Sequence, residues 1–206
     1  MHQLSAGYWG WLHAIVGVLG ARVVGAGFAF IGNVFVARWL GPAAFGDFYL
    51  LFTLMTIVAG LTGPAIDTSL VRFAARTRHT APAQANTYFA FAWRLKLAMA
   101  VLTLAAGAGL AWPLHALLFD SASAPPVWTV TLAFAGGVAV SLWGFSLSYF
   151  QAHERFTPYA AFECASSILR FTLVVGLVLA AVRLVPVYLA VYVAAPATMA
   201  CIAWWL

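Results

Sequence analysis

Charged residues are scarce in this sequence. Asp, Glu, Lys and Arg make up 7% of its 206 residues, whereas a soluble globular domain carries roughly 25%. Hydrophobic residues make up 65%, which is more apolar surface than a water-soluble fold can bury. This composition excludes a soluble domain and predicts an all-α, polytopic membrane protein.

Several other features are missing. Cys164 and Cys201 are the only cysteines, and both fall inside apolar segments, so the chain has no disulfide framework and no paired metal-ligand spacing. Neither H-E-x-x-H nor G-x-S-x-G occurs, nor does a phosphate-cradling glycine loop. Residues 1–11 contain no Lys or Arg, which argues against a cleaved secretory signal. We therefore expect no catalysis, no metal, no cofactor and a retained first span.

The apolar residues form six segments long enough to cross a bilayer, since a span needs about 20 residues. We predict a single transmembrane domain over residues 1–206, with spans at 12–37, 45–73, 87–114, 126–151, 158–182 and 186–206. The run Gly60-Leu61-Thr62-Gly63-Pro64 predicts a kink in the second span, because proline removes a backbone hydrogen bond. Pro196 predicts a second kink in the last span.

Basic residues indicate the orientation of the spans. The ten Lys and Arg are scattered and form no stripe, which argues against a nucleic-acid partner. They are more frequent in the second-to-third and fourth-to-fifth connections, so both termini are expected in the cytoplasm. Arg76 and Arg78 are interpreted as orientation signals that contact anionic membrane lipids.

Polar residues inside the spans are the candidates for a functional site, because such residues usually face a protein interior or a water-filled cavity. In the fifth span, Glu163 and Arg170 lie on one helix face with two serines, at spacings i, i+3, i+4 and i+7. We expect a polar cavity that opens toward the cytoplasm. Its candidate residues are Arg22, Asn33, Arg94, Glu163 and Arg170, with Asp67 as a candidate coupling group.

Three segments, at 37–46, 67–73 and 149–156, carry a family resemblance. The first, Ala-Arg-Trp-Leu-Gly-Pro-Ala-Ala-Phe-Gly, is similar to the A-R-x-L-G-P-x-x-[FY]-G turn of polysaccharide flippases in the multidrug/oligosaccharidyl-lipid/polysaccharide exporter superfamily. This resemblance implies a non-enzymatic transporter with two six-helix lobes around a central cavity. It also implies alternating-access transport of lipid-linked oligosaccharides across the inner membrane. The sequence resembles the N-terminal lobe alone, so we expect a second lobe, either in a longer chain of which this is a fragment or on a partner.

Each candidate residue has an alternative interpretation. Arg22, Arg94 and Arg170 could grip the diphosphate of a lipid carrier through paired hydrogen bonds. Alternatively, they pair with Asp67 or Glu163 and hold helices in register, or Arg94 snorkels to the interface. Asp67 could couple transport to a cation or proton, or it could be a helix-end partner for Arg72 or Arg22.

Two other functions fit the same sequence. One is a cation-coupled drug or metabolite antiporter of the same superfamily, with Asp67 or Glu163 as its coupling group. The other is a membrane scaffold that transports nothing and assembles with other polysaccharide-assembly proteins. Neutralising the arginines should abolish a flippase, neutralising the carboxylates should abolish an antiporter, and neither change should affect a scaffold.

Overall fold

A computed structural model describes residues 2–77, 81–119 and 124–205, with side chains from residue 16 onward except those of 75 and 82. Within these residues every regular element is an α-helix, which confirms the predicted all-α fold class. The helices are α1 (His2–Leu40), α2 (Pro42–Thr62), α3 (Pro64–Thr77), α4 (Pro82–Leu118), α5 (Trp128–Ala152), α6 (Phe156–Leu179) and α7 (Val185–Trp205).

Six stretches of the described helices are long and apolar enough to cross a membrane. They run over Val16–Leu40, Pro42–Ala74, Ala83–Leu118, Trp128–Ala152, Phe156–Leu179 and Val185–Trp205. The chain is therefore a multi-pass membrane protein. The second stretch contains both α2 and α3, which together form one span.

The second span is interrupted where the sequence predicts it. α2 ends at Thr62, Gly63 lies between the two helices, and Pro64 begins α3. Proline is favoured at a first helical position, where its missing N–H would have no intrahelical partner. In the last span, α7 continues as helix through Pro196, and the kink expected at this proline stays a prediction.

Helix α5 lies at the centre of the bundle. Of its membrane-spanning window, 67% is buried, against 17% for those of α1, α4 and α6. It packs against α2, α3, α4, α6 and α7, while α1 packs mainly on α6. Gly137 lets α2 approach α5, because a Cβ at this position would lie 2.5 Å from Val58 Cγ1 and 2.9 Å from the Met55 carbonyl oxygen.

The bundle is closed at the end that carries the α1–α2 and α6–α7 connections. An apolar core that includes Phe48 and Leu189 fills this end. There the Trp39 indole N–H donates a 2.8 Å hydrogen bond to the Val182 carbonyl oxygen, and the Tyr188 hydroxyl donates to the same oxygen at 3.1 Å. These contacts leave the opposite end as the place where polar groups can collect.

Candidate functional site

A cavity of about 820 Å³ lies between α1, α3, α5 and α6. It occupies the half of the bundle nearest the α3–α4 and α5–α6 connections, opposite the apolar core. Its charged lining residues are Arg22, Asp67, Arg72, Glu163 and Arg170. Three arginines and two carboxylates therefore line the cavity, so positive charges outnumber negative ones in its wall.

Each wall of the cavity is one face of a helix. On α1 the lining residues Arg22, Gly25, Ala26 and Ala29 follow i, i+3, i+4 and i+7 spacing, which places them on one side. Gly25 is buried against α6, and a Cβ there would lie 2.9 Å from the Ser167 hydroxyl oxygen. Small residues therefore bring α1 close to α6 while Arg22 projects into the cavity.

The polar stripe predicted on the fifth span faces this cavity in large part. Glu163, Ser167 and Arg170 line it, and Ser166 is buried beside them. Glu163 interacts electrostatically with both Arg22 and Arg170. The carboxylate therefore offsets part of the positive charge that α1 and α6 bring together.

Arg22 has a hydrogen-bond partner that the sequence did not indicate. Its guanidinium donates to the Tyr159 hydroxyl oxygen at 3.0 Å, and this bond joins α1 to α6. The Arg22 side chain stays exposed to the cavity. It can therefore donate its other N–H groups to an anion in the cavity.

Asn33, another candidate residue, does not line the cavity. Its side-chain oxygen accepts a 2.6 Å hydrogen bond from the Tyr192 hydroxyl. The Arg170 guanidinium carbon lies 5.5 Å from the centroid of the Tyr192 ring, within the range of a cation–π contact. Tyr192 and Arg170 thus connect Asn33 to the cavity.

Arg94 and Lys96 lie on opposite sides of α4. Arg94 is exposed and does not line the cavity, whereas the Lys96 side chain is 1% exposed. The Lys96 Nζ lies 3.0 Å and 3.2 Å from the two carboxylate oxygens of Asp67. Asp67 thus lines the cavity with its carboxylate and is paired with Lys96 behind it. The ion-pair partner of Asp67 is this lysine, and not Arg22 or Arg72 as the helix-end interpretation had it.

Three residues of the site were not among the candidates predicted from the sequence, namely Lys96, Arg72 and Tyr159. A usable signal existed for Arg72, because Pro64, Asp67 and Arg72 fall within one amphipathic face of α3. Tyr159 lies one turn before Glu163 on the polar stripe of α6. Neither pattern reveals a hydrogen bond to a different helix.

Metal binding finds no support in this part of the chain. Among the residues that the structure describes, no group of three His, Cys, Asp or Glu side chains could hold a metal ion. The cavity lining offers arginine and carboxylate groups, which can recognise charged ligands.

A family model described as "Polysaccharide biosynthesis protein" matches residues 14–206. No curated protein and no solved structure gives a significant match to the chain. Because the family model covers nearly all of the sequence, the chain belongs to this polysaccharide biosynthesis family.

Proposed function

We propose that this chain, a membrane-spanning member of the polysaccharide biosynthesis family, is one lobe of a lipid-linked saccharide flippase. It would move a lipid-linked oligosaccharide or polysaccharide precursor across the cytoplasmic membrane by alternating access. The observation that carries this proposal is the cavity itself, in which Arg22, Arg72 and Arg170 lie within membrane-spanning helices. Cations are costly in this setting and usually serve a substrate pathway.

The diphosphate of the lipid carrier is the group that this cavity would recognise. A guanidinium binds phosphate oxygens through two parallel hydrogen bonds, and Arg22 and Arg170 approach the cavity from α1 and α6. Glu163 offsets part of their charge, so the diphosphate would be held less tightly and could be released. The lipid tail would stay in the bilayer while the headgroup enters the cavity.

The size of the cavity limits what it would hold. At about 820 Å³ it is comparable to pockets that enclose drug-sized ligands, roughly 300–1,000 Å³. A diphosphate with its first sugars fits the part of the cavity that this lobe contributes. The chain would therefore recognise the lipid-proximal part of its substrate and leave the distal sugars in water.

The cavity is expected to open toward the cytoplasm. It lies at the end of the bundle with the basic α3–α4 and α5–α6 connections, where Arg76 and Arg155 are found, and such connections favour the cytoplasmic side. Lipid-linked precursors would enter there. A second six-helix lobe, which the family resemblance implies, would complete the enclosure and rock against this one.

Complementation of a strain that lacks its polysaccharide flippase tests the proposal in cells. The chain would be expressed alone and joined to a second lobe, with surface polysaccharide as the readout. Rescue by the extended form alone is the expected result. If neither form restores polysaccharide although both reach the membrane, the flippase proposal or its assumed substrate is wrong.

Binding to the purified chain tests the recognition step directly. A long-chain polyprenyl diphosphate is the probe, and the corresponding polyprenol without phosphate is the control ligand. Arg22→Gln and Arg170→Gln should each weaken diphosphate binding about tenfold or more, because a hydrogen bond to a charged group contributes about 1.5–3 kcal/mol. Arg94→Gln is the matched control, since this exposed arginine does not line the cavity. Equal effects of all three substitutions would argue against the site.

The antiporter alternative is supported by one specific feature, the intramembrane carboxylate of Glu163 in the cavity. If it is correct, Glu163→Gln abolishes transport while Arg22→Gln leaves it largely intact. The flippase proposal expects the reverse ranking. A scaffold that assembles with other polysaccharide proteins would tolerate both substitutions as long as the chain folds.

A further inference from the structure

The Lys96 ammonium is surrounded by more oxygen atoms than it has N–H groups to donate to. Within 3.4 Å of Nζ lie both carboxylate oxygens of Asp67, the hydroxyl and carbonyl oxygens of Ser141, and the carbonyl oxygens of Gly63 and Thr62. These are six oxygen atoms, whereas an ammonium group has three N–H donors. A spherical cation has no such limit and takes oxygen ligands from all sides.

The position of these oxygens in the fold also suits a cation. α2 ends at Thr62, so the Thr62 carbonyl group lies at the negative end of the helix dipole. The Gly63 carbonyl oxygen accepts a 3.3 Å hydrogen bond from the Asp67 backbone N–H and has a second lone pair for a cation. The break at Gly63 turns this end toward Lys96. Interrupted membrane helices commonly use freed carbonyls and helix C-termini to bind monovalent cations.

We propose that Lys96 is a tethered cation, whose ammonium fills a monovalent-cation position formed by Thr62, Gly63, Asp67 and Ser141. The position exists because of the helix break, and the lysine occupies it permanently. No free ion is needed there, so the site holds its charge whatever the sodium or potassium gradient. This inference goes beyond the proposed function and stands whether or not the chain carries saccharides.

The proposal has a consequence for coupling. The position behind the cavity wall is already filled, and the Asp67 carboxylate is bound to its occupant. A free cation could use Asp67 only after Lys96 had left. The site is therefore a fixed structural charge, and any ion coupling in this part of the chain would have to involve Glu163.

Truncating the Lys96 side chain to alanine should create a site for a free cation. The purified Lys96→Ala variant would be melted in equal ionic strengths of ammonium, methylammonium, potassium, sodium and N-methyl-D-glucamine chloride. Its melting temperature should be lowest in N-methyl-D-glucamine and rise with ammonium, methylammonium or potassium, following the mass-action form for a ligand that binds only the folded state. At ten times its dissociation constant, such a cation increases the folding equilibrium constant about 11-fold. The unmodified chain should melt at the same temperature in all five salts.

Two further variants keep the test specific. Lys96→Met fills the space without a charge and should not respond to the choice of cation. Lys96→Ala combined with Asp67→Asn removes the charged ligand and should lose most of the response. The proposal is overturned if Lys96→Ala melts identically in all salts, or if Lys96→Met responds as strongly. Failure to recover folded Lys96→Ala in any salt would also overturn it, because ammonium should replace the lost group.

Discussion

Loss of either partner of the Asp67–Lys96 ion pair should destabilise the fold strongly. Removing one member of a buried pair costs about 3–5 kcal/mol, because the other charge is left uncompensated. Here the Lys96 side chain is 1% exposed and that of Asp67 13% exposed, at the edge of the cavity. Cavity water can solvate Asp67, and Lys96 keeps its backbone acceptors. We therefore expect about 3 kcal/mol for Lys96→Met and for Asp67→Asn, at the lower end of the range.

The double variant Lys96→Met with Asp67→Asn measures the coupling energy between the two charges, apart from the contacts that each makes with other groups. Without coupling, the two single effects would add to about 6 kcal/mol, whereas removing both charges together should cost only about 3 kcal/mol and leave a coupling energy of about 3 kcal/mol. The assay is the free energy of unfolding of the purified chain in detergent micelles. A control cycle of Lys96→Met with Tyr188→Phe, at the opposite end of the bundle, should be additive. Additivity of the Lys96 and Asp67 effects within about 0.5 kcal/mol would refute the reasoning.

Three further substitutions should each affect stability in the same assay. Gly41→Ala should cost about 1–3 kcal/mol, because Gly41 has φ +78° and ψ 170°, a region that is essentially restricted to glycine; a loss below about 0.5 kcal/mol would contradict this. Gly137→Ala should cost about 1–3 kcal/mol by overpacking against Val58 and α2, and an unchanged melting temperature would show that the two helices can separate freely. Tyr159→Phe should cost about 1 kcal/mol or less, since it removes one hydrogen bond to the exposed Arg22; a larger loss would mean that this bond holds α1 on α6.

Hydropathy, together with the glycine and proline residues that interrupt helices, was enough to predict the helical framework. Apolar length alone predicts six spans, because the bilayer requires that every backbone group be satisfied within a helix. Gly63 and Pro64 identify the interruption of the second span, since proline cannot donate the helical hydrogen bond. α1 nevertheless begins at His2, well before the predicted start at residue 12, because a helix can extend beyond the hydrocarbon core.

The cavity could be predicted only in part. The α6 stripe with Glu163 and Arg170 follows from helical spacing, which relates residues of one helix to each other. Pairing between helices depends on how the helices rotate and approach, and sequence spacing does not contain that information. This is why the partners of Arg22 and Asp67 emerged only in three dimensions, as Tyr159 and Lys96.

Helix α4 carries two neighbouring cations, and only one of them faces the interior of the bundle. Residues two positions apart are separated by about 200° around a helix, so Arg94 and Lys96 cannot both face the bundle. Ala92 and Ala100, one turn on either side of Lys96, are buried. Ala90 and Ala98 flank Arg94 at the same spacing but are exposed, so the spacing of small residues alone did not show which cation points inward; the burial of the two faces does.

The same chemical change at these two positions should therefore have very different effects. Lys96→Gln removes a buried charge that Asp67 and Ser141 contact directly, so it should cost about 3 kcal/mol. Arg94→Gln alters an exposed side chain and should change the free energy of unfolding by no more than about 0.5 kcal/mol. The two variants would be unfolded side by side in one detergent. Comparable losses would mean that α4 is rotated from the orientation described, and the assignment of Lys96 to the interior would fail with it.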